Sequence, residues 1–238
     1  LGHTTILQYN GEQSPVARID GTGAVRSYRY DRQGRTSAEV DPAGQVTTWT
    51  WDAYGNLLEH ALPDRSVVRF DYDDAHRPTR IVDAEGGCWQ QQWDVHGNLL
   101  RQITPMGIAT SFGYNQYGHV IAVIDAERQM TRLRYDSFGY LTDITDALGG
   151  VTRYEHDARG NLLQMVDANG DATRYAYDAK GRLTDCLLPG ELTVQYEYDA
   201  ADNLICYRDE AGQVTRFGYF GQGCLARRVE ADGSVVQY

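Results

Sequence analysis

The stretch YAYDAKGRL, residues 175–183, carries the pattern that decides the fold. A closely similar stretch, YRYDRQGRT, occupies residues 28–36, and the two lie 147 residues apart, which is seven times 21. Self-similarity at a fixed period of about 20 to 50 residues is typical of repeat architectures. The spacing therefore indicates a repeat with a period of 21 residues.

The period extends through the whole sequence. Steps of 21 residues from Asp31 meet Asp or Asn in every copy except the last, where Phe220 stands. Numbered from this Asp as position 0, position −1 is aromatic in ten of eleven copies, His156 being the exception, and position +3 is Gly in eight. A second acidic residue recurs at position +10 with Gly at +13, as in Asp167 and Gly170. The sequence predicts one uninterrupted array of about eleven repeats over residues 1–238.

Both recurring D-x-x-G tetrapeptides predict tight turns. Asp is favoured at the first position of a type I turn, where its carboxylate accepts backbone N–H groups, and Gly at the fourth, where positive φ closes a hairpin through a G1 bulge. Pro is favoured at the second position and stands there as Pro42, Pro63, Pro105 and Pro189. Each repeat should therefore contain two turns and two short strands.

The segments between the turns have strand patterns. In DATRYAY, 171–177, alternation places Tyr175 and Tyr177 on one face. The other segment, such as RLTDCL at 182–187, has a mixed middle that leaves its faces unassigned and would be explained by a β-bulge. Because the burial of two aromatics, about 7–12 kcal/mol, cannot offset the cost of ordering 21 residues, about 30 kcal/mol, one repeat cannot fold alone. The repeats are therefore expected to stack into one long antiparallel sheet. With roughly 22 strands, where open sheets rarely exceed about ten, this sheet should curl into an arc or spiral.

The composition disfavours several classes of protein. A net charge of −11 and a pI of about 4.9 argue against binding to nucleic acid or to anionic membranes. No run approaches the length of about 18 apolar residues that would span a bilayer. Cys88, Cys186, Cys206 and Cys224 lack CxxC spacing, so free thiols are expected, while a Cys186–Cys206 bridge across neighbouring repeats stays open.

The combined motif resembles a known repeat family. Y-x-Y-D-x-x-G-[RN]-L, recurring every 21 residues with D-x-x-G between copies, is similar to the RHS/YD repeat, and the resemblance covers essentially the entire chain. The clearest copies are YRYDRQGRT at 28–36, WTWDAYGNL at 49–57, YEHDARGNL at 154–162, YAYDAKGRL at 175–183 and YEYDAADNL at 196–204.

The resemblance implies a hollow shell formed by a spiralling β-ribbon. In bacterial RHS proteins and in the C components of insecticidal toxin complexes, such a shell encloses a C-terminal toxin domain; animal teneurins carry related YD shells. The Arg or Asn after Gly and the lack of insertions are more similar to a bacterial RHS core. The resemblance therefore implies a wall segment without catalysis, from an effector made in the cytoplasm and exported from a bacterial cell by type VI secretion. Its implied partners are the rest of the shell and the enclosed toxin domain.

Several elements of the full family pattern are absent from this sequence. It contains no delivery domain, no toxin domain and no self-cleaving element ending in Asp-Pro-x-Gly-Leu. DPAGQ at 41–45 mimics that ending, but Gln45 replaces the Leu and the stretch lies in repeat register. The chain starts without Met and stops at Tyr238 inside a predicted strand, so we expect an internal segment of a longer protein with unpaired terminal edges.

Catalysis and cofactor binding are not predicted. The many Asp residues would suit acid–base chemistry, but their spacing assigns them to turns. DANGD at 167–171 begins like a calcium loop, yet its Gly is fourth instead of sixth. His156 is interpreted as a variant ring at the Tyr position. The residues predicted to form the structural repeat motif are Tyr30, Asp31, Gly34, Trp51, Asp52, Gly55, Trp93, Asp94, Gly97, Tyr135, Asp136, Gly139, Asp157, Gly160, Tyr175, Tyr177, Asp178, Gly181, Tyr198 and Asp199.

Two alternatives belong to other classes. An aromatic array that binds carbohydrate or choline would need its rings exposed, whereas most rings here fall at two same-face strand positions. A parallel β-solenoid could also have a 21-residue coil, but two reversing turns per repeat disfavour it. A further hypothesis concerns charge: if the concave face carried much of the −11, it would favour a basic toxin segment.

Overall fold

The computed structural model describes residues 5–221 and 223–238. That part of the chain is all β, with 23 strands, no α-helix and a 3₁₀ turn at Pro189–Glu191. The chain divides into two compact units, one of Leu1–Tyr114 with Ile124–Arg128 and one of Asn115–Val123 with Gln129–Tyr238. Within the described residues, no helix is long and apolar enough to cross a membrane.

Most strands have five or six residues. The strands of the first unit are β1 (Ile6–Tyr9), β2 (Pro15–Ile19), β3 (Val25–Tyr30), β4 (Thr36–Val40), β5 (Val46–Trp51), β6 (Leu57–Ala61), β7 (Val67–Tyr72), β8 (Pro78–Val82), β9 (Cys88–Trp93), β10 (Leu99–Ile103) and β11 (Ala109–Tyr114). The later strands are β12 (Val120–Ile124), β13 (Met130–Tyr135), β14 (Leu141–Thr145), β15 (Val151–His156), β16 (Leu162–Val166), β17 (Ala172–Tyr177), β18 (Leu183–Leu188), β19 (Leu192–Tyr198), β20 (Leu204–Arg208), β21 (Val214–Phe220), β22 (Cys224–Val229) and β23 (Val235–Gln237).

Consecutive strands pair antiparallel, from β1 through β11 in the first unit and from β13 through β23 in the second. The predicted fold class, an all-β array of 21-residue hairpin repeats, is confirmed. The parallel solenoid is excluded for these strands, because each strand reverses direction at the following turn.

A β-bulge recurs at one place in the repeat. In the β17–β18 hairpin Tyr177 pairs with Leu183 while Ala176 pairs with Asp185, which leaves Thr184 as the extra residue. The same shift occurs in other hairpins that close on a first turn, such as β3–β4 and β15–β16. The extra residue displaces the side-chain alternation of the second strand. This displacement explains why polar and apolar residues do not alternate regularly in the middle of that strand.

The register defines two faces of the sheet in each unit. The aromatic face consists of positions −5, −3, −1, +5 and +8, and the arginine face consists of positions −6, −4, −2, +7 and +9. In β15 and β16 the aromatic face carries Tyr154, His156 and Met165, whereas Arg153 and Glu155 lie on the arginine face. The rings are half-buried and the charged side chains are exposed.

The sheet has little enclosed core. Among the described residues the buried apolar side chains are Ala17, Ala38, Cys186 and Val194, and none of them is fully buried. The accessible surface is 15996 Å², against about 10,700 Å² expected for a compact protein of this mass. Such an excess is typical of a single layer that exposes both faces. Contacts between repeats must therefore come largely from the strand ladder and from side chains at its edges.

Candidate functional site

The side chain at position 0 holds the first turn, through a carboxylate in eight repeats and through an Asn amide oxygen in two. In the turn headed by Asp157, the N–H of Gly160 donates to the Asp157 carbonyl at 3.0 Å, and the N–H of Asp157 donates to the Asn161 carbonyl at 2.9 Å. These are the bonds of a type I turn closed by a G1 bulge. Asp157 Oδ1 also accepts the N–H groups of Arg159 at 2.8 Å and of Asn161 at 2.9 Å. The carboxylate thus satisfies turn donors that the ladder leaves free.

The outer carboxylate oxygen is bound by the residue at position +4. Where that residue is Asn, its amide donates to Oδ2 at 2.7–2.9 Å. Where it is Arg, Nε donates to Oδ2 at 2.7–2.8 Å. The residues that act in this way are Arg35, Asn56, Arg77, Asn98, Asn161, Arg182 and Asn203.

The arginines at position +4 also reach the next repeat. Arg35 Nη1 donates to the carbonyl of Asp52 at 2.7 Å, and its guanidinium lies 5.6 Å from the ring centroid of Trp51. Arg182 repeats this arrangement with Asp199, and its guanidinium lies 4.7 Å from the ring centroid of Tyr198. One side chain therefore joins its own turn carboxylate, the following turn and the following aromatic ring.

The aromatic side chain at position −1 bonds back to the preceding repeat. Tyr177 Oη donates to the Leu162 carbonyl at 3.0 Å, and Trp51 Nε1 donates to the Thr36 carbonyl at 2.9 Å. The accepting carbonyl is always at position +5, beside the bulge, where the ladder is interrupted. We call this bond the aromatic staple. It is made by Tyr30, Trp51, Tyr72, Trp93, Tyr114, Tyr135, Tyr177 and Tyr219.

His156 occupies the staple position without making the bond. Its ring instead stacks with Tyr140, the position +4 residue of the preceding repeat, with ring centroids 5.4 Å apart. One repeat earlier His119 covers Tyr135 at 4.8 Å, and Tyr135 still makes its staple to Val120. An aromatic residue at +4 is therefore compatible with a staple beneath it.

Replacing His156 with Tyr is expected to stabilise the protein by about 1 kcal/mol. The phenol would supply the missing hydrogen bond to the Leu141 carbonyl, and a net intramolecular hydrogen bond contributes about that much. Urea unfolding followed by far-UV circular dichroism measures the change. His156→Phe is the matched control. It introduces the same six-membered ring as Tyr but no hydroxyl donor, so it should give no such gain in stability. Equal stability of the two variants would contradict the staple account.

Hydrogen bonds lower the pKa of several turn carboxylates. The side-chain amides of Asn161 and Asn203 act first on Asp157 and Asp199, followed by turn N–H groups. For Asp178 the N–H of Arg182 acts first and its guanidinium second. Each of these pKa values lies below the ordinary value of 3.8. The ionised form is therefore the one that the folded turn favours.

The protein is expected to lose stability in acid, below about pH 4. A carboxylate with a lowered folded-state pKa contributes stability above its unfolded pKa, and that contribution is lost as the pH falls through the folded pKa. Urea midpoints measured from pH 7 to pH 2 should be flat at first and then fall. Asp157→Asn, which retains an acceptor as Asn115 does, should reduce the fall; an unchanged pH profile in that variant would contradict the assignment.

The structure assigns each residue of the sequence motif to one of four places. Tyr30, Trp51, Trp93, Tyr135 and Tyr177 donate staples. Tyr198 lies at the same position beneath Arg182 without a staple, and Tyr175 lies at position −3, opposite Cys186. The motif residues that head first turns are Asp31, Asp52, Asp94, Asp136, Asp157, Asp178 and Asp199. The motif glycines at position +3, all with positive φ, are Gly34, Gly55, Gly97, Gly139, Gly160 and Gly181.

Sequence reasoning missed the residue at position +4 and the acceptor carbonyl at +5. The recurring Arg or Asn after Gly was a signal for the first, since both types can donate to a carboxylate. A backbone carbonyl leaves no signal in the sequence. Its availability follows from the bulge, which only the strand register reveals.

The cysteines and the acidic residues make no further site within the described residues. All four cysteines are free. Cys186 pairs with Tyr175 and lies on the aromatic face, whereas Cys206 pairs with Glu197 and lies on the arginine face, so the Cys186–Cys206 bridge that the sequence left open is not formed. No group of three or more His, Cys, Asp or Glu residues in the described part of the chain has a metal-binding arrangement.

Comparison with known proteins identifies two related family models. The RHS Repeat model matches residues 30–67 and 51–87, and the Teneurin YD-shell model matches residues 106–223. No curated protein sequence matches the chain. The two models cover separate stretches of one 21-residue pattern.

Solved structures share the fold. A crystal structure of TcdB2-TccC3 without its hypervariable C-terminal region is 16% identical to the chain, with a TM-score of 0.61, and covers 99% of it. Another crystal structure, of TcdB2-TccC3, has a TM-score of 0.58 and 16% sequence identity, and it covers 98% of the chain. The structure of a Photorhabdus luminescens Tc holotoxin pore has a TM-score of 0.57 and 16% sequence identity, and it also covers 98% of the chain. The chain spans 17% of the length of each of these chains.

At this identity the structural likeness establishes the fold alone. The family models establish the repeat type, and the turn, bulge and staple show the same unit recurring along the chain. The chain belongs to the RHS/YD-repeat family.

Proposed function

We propose that this chain is a wall segment of an RHS-type shell enclosing the C-terminal toxin domain of a bacterial polymorphic toxin, without catalysis of its own. The recurring staple is the observation that supports this most strongly. The side chains that define the repeat hold neighbouring repeats together, as a wall requires. Residues 1–238 would form one continuous curved array within a larger shell, its motif residues serving as the joints.

The turn chemistry also supports a structural role over an enzymatic one. A catalytic carboxylate must be available to a substrate proton. In the first turns of Asp52, Asp94, Asp157 and Asp199, both carboxylate oxygens accept hydrogen bonds from the turn or from position +4. The same interactions recur every 21 residues, as expected for a building element.

The aromatic binding array is the alternative function. A groove of about 710 Å³ in the second unit is lined by Tyr117, His119, Tyr135 and Phe138, and Tyr117 and Phe138 are 76% and 83% exposed. Such a groove could admit a ligand at one point. An array, however, would need open rings in successive repeats, whereas the position −1 rings other than Tyr9 are half-buried and most of them are stapled.

Export of the whole protein, its type VI route and its toxin partner belong to the same proposal. Support for export comes from the family resemblance and from a structural neighbour that is a Photorhabdus luminescens Tc holotoxin pore. The partners would be the remaining shell repeats and an enclosed C-terminal domain. No nucleic acid, membrane insertion or cofactor is part of the proposed role.

The test uses the full-length parent protein and limited proteolysis. The domain that follows the array should resist protease inside the intact protein and become sensitive when it is produced alone. A C-terminal domain that is equally sensitive in both forms would overturn the shell proposal. Isothermal titration of the present chain with choline and soluble glucans tests the alternative, since saturable binding of about one ligand per repeat would favour it.

A further inference from the structure

Charge is segregated between turns and strands. The strands contain 14 basic and 7 acidic residues, and all 14 basic residues are Arg. The remaining 26 acidic and 8 basic residues lie in the turns. The strands therefore carry +7 and the turns −18. The hypothesis that a sheet face carries much of the −11 charge is wrong, because that charge lies along the edges.

The positive charge of the strands is concentrated on the arginine face. Eleven arginines lie on it, and all of them are exposed: Arg29, Arg69, Arg80, Arg101, Arg132, Arg134, Arg153, Arg174, Arg208, Arg216 and Arg227. Its six acidic residues are Glu59, Asp71, Asp143, Glu155, Asp185 and Glu197.

Several of the acidic residues are already engaged. Glu59 pairs with Arg69 at 2.8 Å and Asp143 contacts Arg153 at 3.9 Å. Asp185 accepts a hydrogen bond from the Gln195 amide at 3.0 Å. In the second unit, the arginines with no ion pair or hydrogen bond among the described residues are Arg132, Arg134, Arg174, Arg216 and Arg227. The arginine face of that unit thus carries seven arginines against four acidic residues, a net charge of +3, and five of its guanidinium groups form no ion pair or hydrogen bond within the described residues.

Position −4 places these groups in a regular row. In the second unit the row contains Arg132, Arg153, Arg174 and Arg216, with Gln195 in the one remaining repeat. Equivalent positions lie two strands apart, or about 9.6 Å. An extended polypeptide in the polyproline II conformation has three residues per turn, so it advances about 9.3 Å per turn and returns every third side chain to the same side. A carboxylate at every third residue of such a segment would therefore meet successive guanidinium groups.

We propose that the arginine face of the second unit binds an extended, carboxylate-rich polypeptide segment. Arg recognises carboxylates through paired N–H groups, and its side chain is always charged at neutral pH. The inference does not depend on the shell proposal, because it follows from the row of arginines and from the net positive charge of that face alone. The proposed partner is acidic, whereas the net charge of −11 alone would predict a basic partner.

The flanking edges favour a peptide over nucleic acid. Strands of five to seven residues span about 20 Å, and both ends lead into acidic turns. A wide phosphate polymer on this face would lie within about 8 Å, one Debye length, of those carboxylates. A single extended peptide can follow the row near the middle of the strands and stay clear of them.

The test measures binding of a fluorescein-labelled (Glu-Ser-Ser)₆ peptide by fluorescence anisotropy at about 50 mM salt. We expect saturable binding that weakens as salt is added. The triple variant R132Q/R174Q/R216Q should weaken it at least tenfold. The matched control R32Q/R65Q/R128Q changes the net charge equally but in turns, and should stay within twofold; Gln13 shows that Gln fits the positive φ of residues 65 and 128.

Three results would overturn the proposal. They are no binding to the unaltered chain, an equal loss in both triple variants, or tighter binding of single-stranded DNA of equal charge than of the peptide. Circular dichroism and thermal unfolding of each variant establish that the comparison is made on folded protein. A (Lys-Ser-Ser)₆ peptide should not depend on the three face arginines, and any loss of its binding in R132Q/R174Q/R216Q would also count against the assignment.

Discussion

Replacing Gly160 with Ala is expected to lower the free energy of unfolding by about 3 kcal/mol, from backbone strain and overpacking together. Gly160 has φ +88°, which an L residue adopts at a cost. A Cβ there would also lie 2.7–2.8 Å from the Tyr140 ring and hydroxyl. Tyr140 cannot easily yield, because it stacks on His156. Urea unfolding followed by circular dichroism measures the loss.

Gly97 supplies the matched control for Gly160. It holds the same turn position with φ +90°, but an added Cβ would meet nothing within 4 Å. Gly97→Ala should therefore cost only the backbone strain, about 1 kcal/mol. Adding Tyr140→Asn to Gly160→Ala should recover most of the difference, since Gly181 lies over an Asn with 3.9 Å of clearance. Equal losses at Gly97 and Gly160 would show that packing of position +4 contributes nothing.

Removing two aromatic staples by Y135F/Y177F is expected to cost about 2 kcal/mol. Each change deletes one phenol donor and leaves a carbonyl beside the bulge without that partner, at about 1 kcal/mol per bond. The two sites lie two repeats apart and share no partner, so their effects should add. Chemical unfolding of the single and double variants measures both the size and the additivity.

Tyr198→Phe is the control for the staples. Tyr198 has the same ring at the same position, beneath Arg182, but its hydroxyl makes no hydrogen bond within the described residues. Its replacement should change stability by less than about 0.5 kcal/mol. If Tyr198→Phe were as costly as Tyr177→Phe, the ring environment and not the staple would account for the effect.

The staple and the position +4 contact together explain how a thin sheet persists without a deep core. No large side chain in the described part of the chain is fully buried, so hydrophobic burial per repeat is modest. Among the described residues eight staples join neighbouring repeats, and at Trp51 and Trp93 the guanidinium at position +4 also covers the stapled ring. A sheet held together in this way exposes both faces, and the side chains that each face carries determine what it can contact.

The sequence by itself determined the local elements. Asp157 and Gly160 predict their turn because a carboxylate at position 0 and a residue free to adopt positive φ at +3 are local requirements. Tyr175 and Tyr177 predict a shared face because alternation along one strand needs no partner. The order of the strands could also be predicted, because every turn reverses the chain direction and no insertion interrupts the 21-residue period.

Tertiary structure alone decided how the repeats are joined and which face carries charge. The partner of Tyr177 is a backbone carbonyl 15 residues away, exposed by a bulge that no side chain encodes uniquely. The same one-residue bulge places Asp185 on the arginine face and Cys186 on the aromatic face, the reverse of what simple alternation from Leu183 gives. Side-chain facing has a period of two, so a single inserted residue inverts it for the rest of the strand. The charge of each face therefore depends on register, which is a property of paired strands and not of either strand alone.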